Sequence, residues 1–308
     1  MRILVIGAGA VGGYFGGRLH EAGRDVSFLV RARQAENIRE YGLRIVSPYG
    51  DVILHPKLIL ASEIAGSYDL TLLCVKAYSL QAAMNDFAAA VEPGTMILPL
   101  LNGMRHIDLL TGQFGEDAVI GGVCLIVAEV DKDNRIVQMT KLHKLVYGER
   151  RGGSSARITA LDETMQGAGF EARTSENIIQ EMWEKWVLLS SLGATTCLLH
   201  GDIGEIEAIP GGAELALEIL AECSAISAAC GYAPGEAFLA RTQKALTARG
   251  STLTSSMYRD LSKNARVEVD QILGDLLERG RKLGIATPLL AAACVNLRIY
   301  QARLEFAR

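Results

Sequence analysis

Two things are scarce in this 308-residue chain: aromatic side chains and patterned metal or redox ligands. Aromatics are 6% of the residues, too few for the stacking platforms that hold unpaired bases. The 31 basic residues do not outnumber the 35 acidic ones, and the net charge is −4. A phosphate backbone needs clustered cations, so no nucleic-acid partner is expected. No two of Cys74, Cys124, Cys197, Cys223, Cys230 and Cys294 form a C-x-x-C pair, and His20, His55, His106, His143 and His200 are scattered. A metal site is not expected, and the cysteines read as small buried hydrophobes in a reducing compartment. The uncharged run from Trp186 to Gly201 carries Ser190, Ser191, Thr195, Thr196 and His200. It is too short and too polar to span a membrane. Met1 and Arg2 lead straight into an apolar run with no signal-peptide pattern, so a cytoplasmic location is expected.

What is present is a globular composition, 49% hydrophobic and 21% charged, which excludes a disordered chain. The length suggests two domains. Ile3-Leu4-Val5-Ile6 reads as a strand buried on both faces, Ala10 to Ala22 as a helix stopped by Gly23, and Asp25 to Val30 as a second strand. Leu70 to Val75 and Thr95 to Leu98 repeat the strand signal around a helix from Ser79 to Val91. Alternation of this kind implies a parallel α/β sheet. The runs Val123 to Val130, Ile136 to Met139 and Leu142 to Val146 read instead as antiparallel strands extending that sheet. After a helix near Ala156 to Gln166 and a strand from Phe170 to Arg173, strand signals cease. Helical periods follow at Asn177 to Leu192, Ala213 to Cys230, Glu236 to Ala248, Ser255 to Leu283 and Pro288 to Phe306, with Gly231 and Gly284 as stops. The expected fold is therefore an α/β domain over 1–174 and an all-α domain over 175–308. The apolar face from Leu215 to Ala229 is open to two roles, core or homodimer interface.

Of the 32 glycines, Gly7, Gly9, Gly12, Gly13, Gly16 and Gly17 fall together. Gly7-Ala8-Gly9-Ala10-Val11-Gly12 fits G-x-G-x-x-G directly after a strand and at the start of a helix, which marks a Rossmann dinucleotide site. The first glycine allows the tight turn, the second admits a pyrophosphate, and the third lets helix and strand pack closely. NAD sites place an acid at the end of the second strand to hold the ribose 2′-hydroxyl. This chain has Val30-Arg31-Ala32-Arg33 there and no acid before Glu36. Arg31 suits a 2′-phosphate, so NADP(H) is the expected cofactor.

Lys76 and Asn102 each follow a predicted parallel strand, where the ligand crevice of such sheets opens. Lys185 sits in the apolar stretch Met182 to Leu189, with Glu181 one turn before it. A partly buried functional ammonium and an ordinary exposed ion pair both fit that pattern. Glu268 borders the apolar stripe Val269, Ile272, Leu273 and Leu276, and by pattern alone reads as a solvated helix flank.

Over almost its whole length the chain resembles the ketopantoate reductases. The resemblance is carried by the glycine fingerprint, Val75-Lys76-Ala77-Tyr78, Leu101-Asn102-Gly103-Met104, Met182-Trp183-Glu184-Lys185-Trp186, Ser255-Ser256-Met257-Tyr258-Arg259-Asp260, Glu268-Val269-Asp270 and Gly284-Ile285-Ala286-Thr287-Pro288. It implies Lys185 as the catalytic lysine with Glu268 as its acidic partner. It also implies Ser256 on the substrate carboxylate, Lys76 and Asn102 beside nicotinamide and substrate, and Arg31 on the 2′-phosphate. The implied reaction is NADPH-dependent reduction of a 2-keto acid, 2-dehydropantoate to pantoate. The chain departs from the family pattern at Leu189, Gly193 and Thr254, where asparagines are usual. A hydroxyisobutyrate- or opine-type dehydrogenase and a non-enzymatic NADP-binding sensor are the alternatives.

Overall fold

The computed structural model describes residues 1–306. The chain forms two compact units, one of residues 1–101 with 106–179, the other of residues 102–105 with those from 180 onward.

In the first unit, β1 (Arg2–Ile6), α1 (Ala10–Glu21) and β2 (Asp25–Leu29) form the expected crossover. They are followed by α2 (Ala32–Tyr41), β3 (Leu43–Val46), β4 (Val52–Leu54), β5 (Lys57–Ile59), β6 (Leu70–Leu73), α3 (Leu80–Phe87), β7 (Met96–Pro99) and α4 (Arg105–Phe114). Then come β8 (Gly121–Val130), β9 (Ile136–Gly148), α5 (Ala156–Met165) and β10 (Glu171–Thr174). The main sheet is parallel in the order β5-β2-β1-β6-β7. The winding reverses between β1 and β6, and a doubly wound sheet binds its ligand beyond the carboxyl ends of the strands at such a point. β1, β6 and β7 are buried on both faces because helices cover them, which is why they read as unbroken apolar runs.

The antiparallel pair corrects the sequence expectation. β8 and β9 do not extend the parallel sheet; they belong to a second sheet ordered β10-β9-β3-β4, with β8 on β9. The 13-residue β9 is long enough to pair with β8 antiparallel and with β3 and β10 in parallel. An isolated bridge between Ile97 and Val119 links this region to the main sheet's last strand.

The second unit is helical: α6 (Ile178–Leu199, whose first turn lies at the boundary), α7 (Ile203–Glu207), α8 (Gly212–Ala229), α9 (Glu236–Leu246), α10 (Ser256–Ser262), α11 (Asp275–Lys282) and α12 (Pro288–Phe306). The single helix expected from Ser255 to Leu283 is broken. Asn264 adopts φ 52°, its N–H donates to the Leu261 carbonyl, and the Ala265 N–H donates to Asp260, which closes α10 in a Schellman motif. The chain becomes helical again at Val269 and runs through a π-helical turn, Asp270–Gly274, into α11. On α8 the apolar face Ala216, Ile219, Leu220, Cys223 and Ile226 is buried, so the Leu215 to Ala229 stretch serves mainly as core.

Candidate active site

The first unit carries a phosphate cradle made of main chain. β1 ends at Ile6, and Gly7 turns at φ 91°, a left-handed conformation that excludes side chains. Its N–H donates to the Leu29 carbonyl at 3.3 Å, tying the turn to the end of β2. Gly9 is the N-cap of α1 and offers no side-chain cap, and no acid occupies the first turn. The amides of Ala10, Val11 and Gly12 therefore have no intrahelical acceptor and lie at the positive end of the helix. A Cβ placed on Gly9 would meet nothing within 4 Å, so open space faces the turn. A Cβ on Gly12 would sit 2.1 Å from the Gly7 carbonyl oxygen and 2.8 Å from Cys74 Cβ. Gly9 thus leaves room for a ligand, and Gly12 leaves room for the fold. An uncapped helix start with vacant space before it fits a dinucleotide pyrophosphate.

Arg31 is the N-cap residue of α2, one residue beyond Val30. Its side chain is exposed, and the guanidinium has no hydrogen bond or ion pair among the described residues. Gln34 Nε2 donates to the Ala8 carbonyl at 3.0 Å, which holds the start of α2 against the cradle. The ends of β1 and β2 lie level, Ile6 opposite Leu29. With no acid at this end of β2, the site fits a 2′-phosphate better than a bare ribose. Beyond β6, Cys74 N–H donates to Ile6, and Val75 Cγ1 lies 3.2 Å from where a Gly7 Cβ would be. Lys76, exposed, follows directly at that edge. Burial, reinforced by Cys124, pushes the Cys74 thiol well above its ordinary pKa, so it stands beside the cradle as a neutral spacer.

The second unit carries a different kind of surface. On α6, Met182, Trp183, Trp186 and Val187 are buried, while Glu181, Lys185, Leu188 and Leu189 fall on the half-buried stripe. Trp186 Nε1 donates to the Ile272 carbonyl at 2.8 Å, and Ser190 Oγ, one turn on, donates to the same oxygen at 3.2 Å. Ile272 N–H in turn donates to the Glu268 carbonyl at 3.0 Å. The helix bearing Lys185 is thereby fastened to the π-helical turn that starts beside Glu268. Glu268 is only 7% exposed, which corrects its reading as a solvated flank. The flank reading assumed one continuous helix, and the break at Asn264 re-aims this segment inward.

Asn102 joins the same turn: Gln271 Nε2 donates to its carbonyl at 3.1 Å. Gly103, at φ 83°, comes so close that a Cβ there would lie 2.7 Å from the Gln271 carbonyl oxygen. Ser256 is the first residue of α10. Its neighbour Ser255 caps that helix by accepting from Tyr258 N–H at 3.0 Å and shares a 2.9 Å hydrogen bond with Thr196 of α6. The elements bearing Lys185, Glu268, Asn102 and Ser256 are thus tied together within one unit. Gln271, Trp186 and Ser190 were not singled out from the sequence. The available signal was a polar residue recurring in otherwise apolar helical stretches.

Among the described residues, no group of three or more His, Cys, Asp or Glu side chains is arranged to hold a metal, and no helix is long and apolar enough to cross a membrane.

Two family models match the chain: ketopantoate reductase PanE/ApbA over residues 3–152, and ketopantoate reductase PanE/ApbA C terminal over residues 177–301. The chain is 34% identical over 302 residues to an uncharacterized oxidoreductase, YkpB, of Bacillus subtilis (strain 168), a match covering 98% of this chain and 99% of that one. The crystal structure of 2-dehydropantoate 2-reductase from Geobacter metallireducens GS-15 superposes with a TM-score of 0.88 at 29% identity, covering 97% and 99% of the two chains. A ternary structure of D-mandelate dehydrogenase with NADH and anilino(oxo)acetate also superposes with a TM-score of 0.88, covering 99% of this chain and all of that one; at 23% identity the likeness is one of fold. The glycine cradle and the lysine-bearing helix therefore sit in a chain that belongs, through both of its units, to the ketopantoate reductase family of NADP-dependent oxidoreductases.

Proposed function

We propose that the protein reduces 2-dehydropantoate to pantoate, a step of pantothenate biosynthesis, in the cytoplasm, with Lys185 as proton donor. One observation supports this reading above others. The helix bearing Lys185, the turn beside Glu268, the Asn102 segment and the start of α10 are held to one another by four side-chain hydrogen bonds.

NADPH, when bound, supplies a hydride. The chain's own residues supply the rest. The cradle amides of Ala10, Val11 and Gly12 hold the pyrophosphate, Ala8 and Gly7 shape the turn, and Arg31 grips the 2′-phosphate. Lys76 and Asn102 orient the nicotinamide and the substrate. Ser256 donates to the substrate carboxylate. As negative charge develops on the keto oxygen, the Lys185 ammonium stabilises it and then gives up its proton. Glu268 orients that ammonium and holds the new hydroxyl. The reaction balances as one hydride and one proton added across the C=O bond, with NADP⁺ and the 2-hydroxy acid leaving. A homodimer formed through α8 would use its exposed side, which carries Leu217, because the side from Ala216 to Ile226 is core.

The test is NADPH oxidation by the purified protein on 2-dehydropantoate and a panel of other 2-keto acids. Turnover of 2-dehydropantoate is expected. NADPH binding without turnover of any keto acid would instead indicate a cofactor sensor.

A further inference from the structure

On the reading that Arg31 meets the 2′-phosphate, we infer that Gln34 is a positioning residue for cofactor selectivity. It locks the glycine cradle to the start of α2, so that the pyrophosphate and the 2′-phosphate of one NADPH are met at a fixed spacing.

Gln34 reaches toward both phosphate sites at once. Its main-chain N–H donates to the Arg31 carbonyl at 2.9 Å, within the first turn of α2. Its side-chain Nε2 donates to the Ala8 carbonyl at 3.0 Å, across from α2 to the cradle. Arg31 and Ala8 are thereby joined through a single half-buried residue. All three residues belong to the first unit.

The cradle needs such a restraint because of the glycine that serves the ligand. The hydrogen-bond ladder of α1 begins at the Gly9 carbonyl, which accepts from Gly13 N–H at 2.7 Å. The Ala8 carbonyl lies one residue before that ladder. The peptide joining Ala8 to Gly9 can therefore turn, and a glycine offers little steric resistance on its side. In a trans peptide the carbonyl and the N–H point in opposite directions. Holding the Ala8 carbonyl on Gln34 thus fixes the direction of the Gly9 N–H. A Cβ on Gly13 would lie 3.2 Å from the same oxygen, so that glycine leaves room for the carbonyl. Ala8 is 5% exposed, which leaves little water to take the place of the Gln34 amide.

Selectivity follows from the covalent structure of the ligand. The pyrophosphate and the 2′-phosphate of NADPH hang on one adenosine, so both contacts form in full only where the protein's spacing matches. A rigid link between the two protein sites lets NADPH gain both contacts without first ordering the chain. NADH lacks the 2′-phosphate and gains from the cradle alone. Loosening the link should weaken both cofactors, and NADPH more.

NADPH and NADH dissociation constants, measured by fluorescence titration of the cofactor-free protein, test this. Gln34→Met keeps the side chain's length and removes its donor. The ratio of the NADH constant to the NADPH constant should then fall by about fivefold, the size of one neutral hydrogen bond. A merely structural role cannot move that ratio, since a smaller folded fraction raises both apparent constants by one factor. An unchanged ratio overturns the inference, whether or not the constants themselves rise. Loss of folding in both Gln34→Met and Gln34→Leu also overturns it, because Gln34 is then a residue of the fold alone. Arg31→Gln tests the reading beneath it. If that variant leaves the ratio unchanged, Arg31 is not the 2′-phosphate contact, and the role of Gln34 falls with that reading. If Arg31→Gln lowers the ratio by about 10- to 100-fold while Gln34→Met does not move it, only the role of Gln34 falls. In the double variant the two effects should combine to less than their product, because without the link Arg31 has less to contribute. A full product means that the two residues act independently, and it overturns the inference.

Discussion

The phosphate cradle and the lysine-bearing face recognise their ligands by opposite means. The cradle consists of main-chain amides, a left-handed glycine and one arginine without a partner among the described residues. Its geometry follows from one β1-α1-β2 crossover and the residue that opens α2, all between Arg2 and Arg31. The face around Lys185 consists of side chains whose positions depend on hydrogen bonds between segments 59 to 169 residues apart in sequence. Cofactor affinity should then respond to changes of backbone shape, and turnover to changes in long-range packing.

The largest break in that contrast comes from Lys185→Ala. Loss of a positioned proton donor should lower kcat by roughly 10²- to 10⁴-fold. NADPH affinity, measured by fluorescence titration, should stay within about twofold, since the variant leaves the whole cradle in place. A parallel fall in NADPH affinity would mean that the two functions are not separable in this way.

Two glycines of one motif separate folding from binding. In Gly12→Ala the new methyl meets a backbone carbonyl at 2.1 Å, which cannot swing aside. It should cost about 1–3 kcal/mol of unfolding free energy by denaturant titration. Gly9→Ala meets no protein atom within 4 Å, so its stability cost should stay below about 1 kcal/mol, the loss of cap preference. NADPH binding should nonetheless weaken, because the methyl enters the space left for the pyrophosphate. Equal stability losses in the two variants would show that Gly9 is also a packing glycine.

Arg31→Gln sharpens the cofactor side alone. Removing a charge-assisted contact to a 2′-phosphate should lower kcat/KM for NADPH by about 10- to 100-fold. The NADH value should hardly change, because NADH has no group for the guanidinium to meet. Equal losses for both cofactors would show that Arg31 supports the fold instead.

These two regions also differ in how readily they are read from the amino-acid sequence. The cradle is local, so glycine spacing between an apolar run and a helical period locates it, and Gly231 and Gly284 act as helix stops as their positions suggest. Elements whose partners are distant are read less well. The hairpin of β8 and β9 looks like more of the first sheet, because strand period alone does not say which sheet a strand joins. Glu268 looks solvated only while Ser255 to Leu283 is taken as one helix. A left-handed asparagine can end a helix, but Asn264 sits within an amphipathic period that masks it. Gln271, Trp186 and Ser190 carry no local signal of their acceptors, since a hydrogen bond to a carbonyl 82 residues away depends on tertiary register.

That dependence gives the smallest prediction. Ile272 offers one carbonyl oxygen to two donors, Trp186 at 2.8 Å and Ser190 at 3.2 Å. Ser190→Ala removes the longer bond and leaves the oxygen satisfied by the indole. The cost in stability should therefore be that of one neutral hydrogen bond, about 1 kcal/mol, without the larger penalty of an orphaned buried carbonyl. Trp186→Phe should cost more, through lost packing as well as the shorter bond, yet still leave Ser190 as donor. The double variant leaves the oxygen with neither side-chain donor, so its loss should exceed the sum of the two single losses. A double-mutant cycle in urea measures that excess. If the two losses simply add, the pair does not act as a joint anchor for the π-helical turn. In that case the placement of Glu268 beside α6 rests on apolar packing alone.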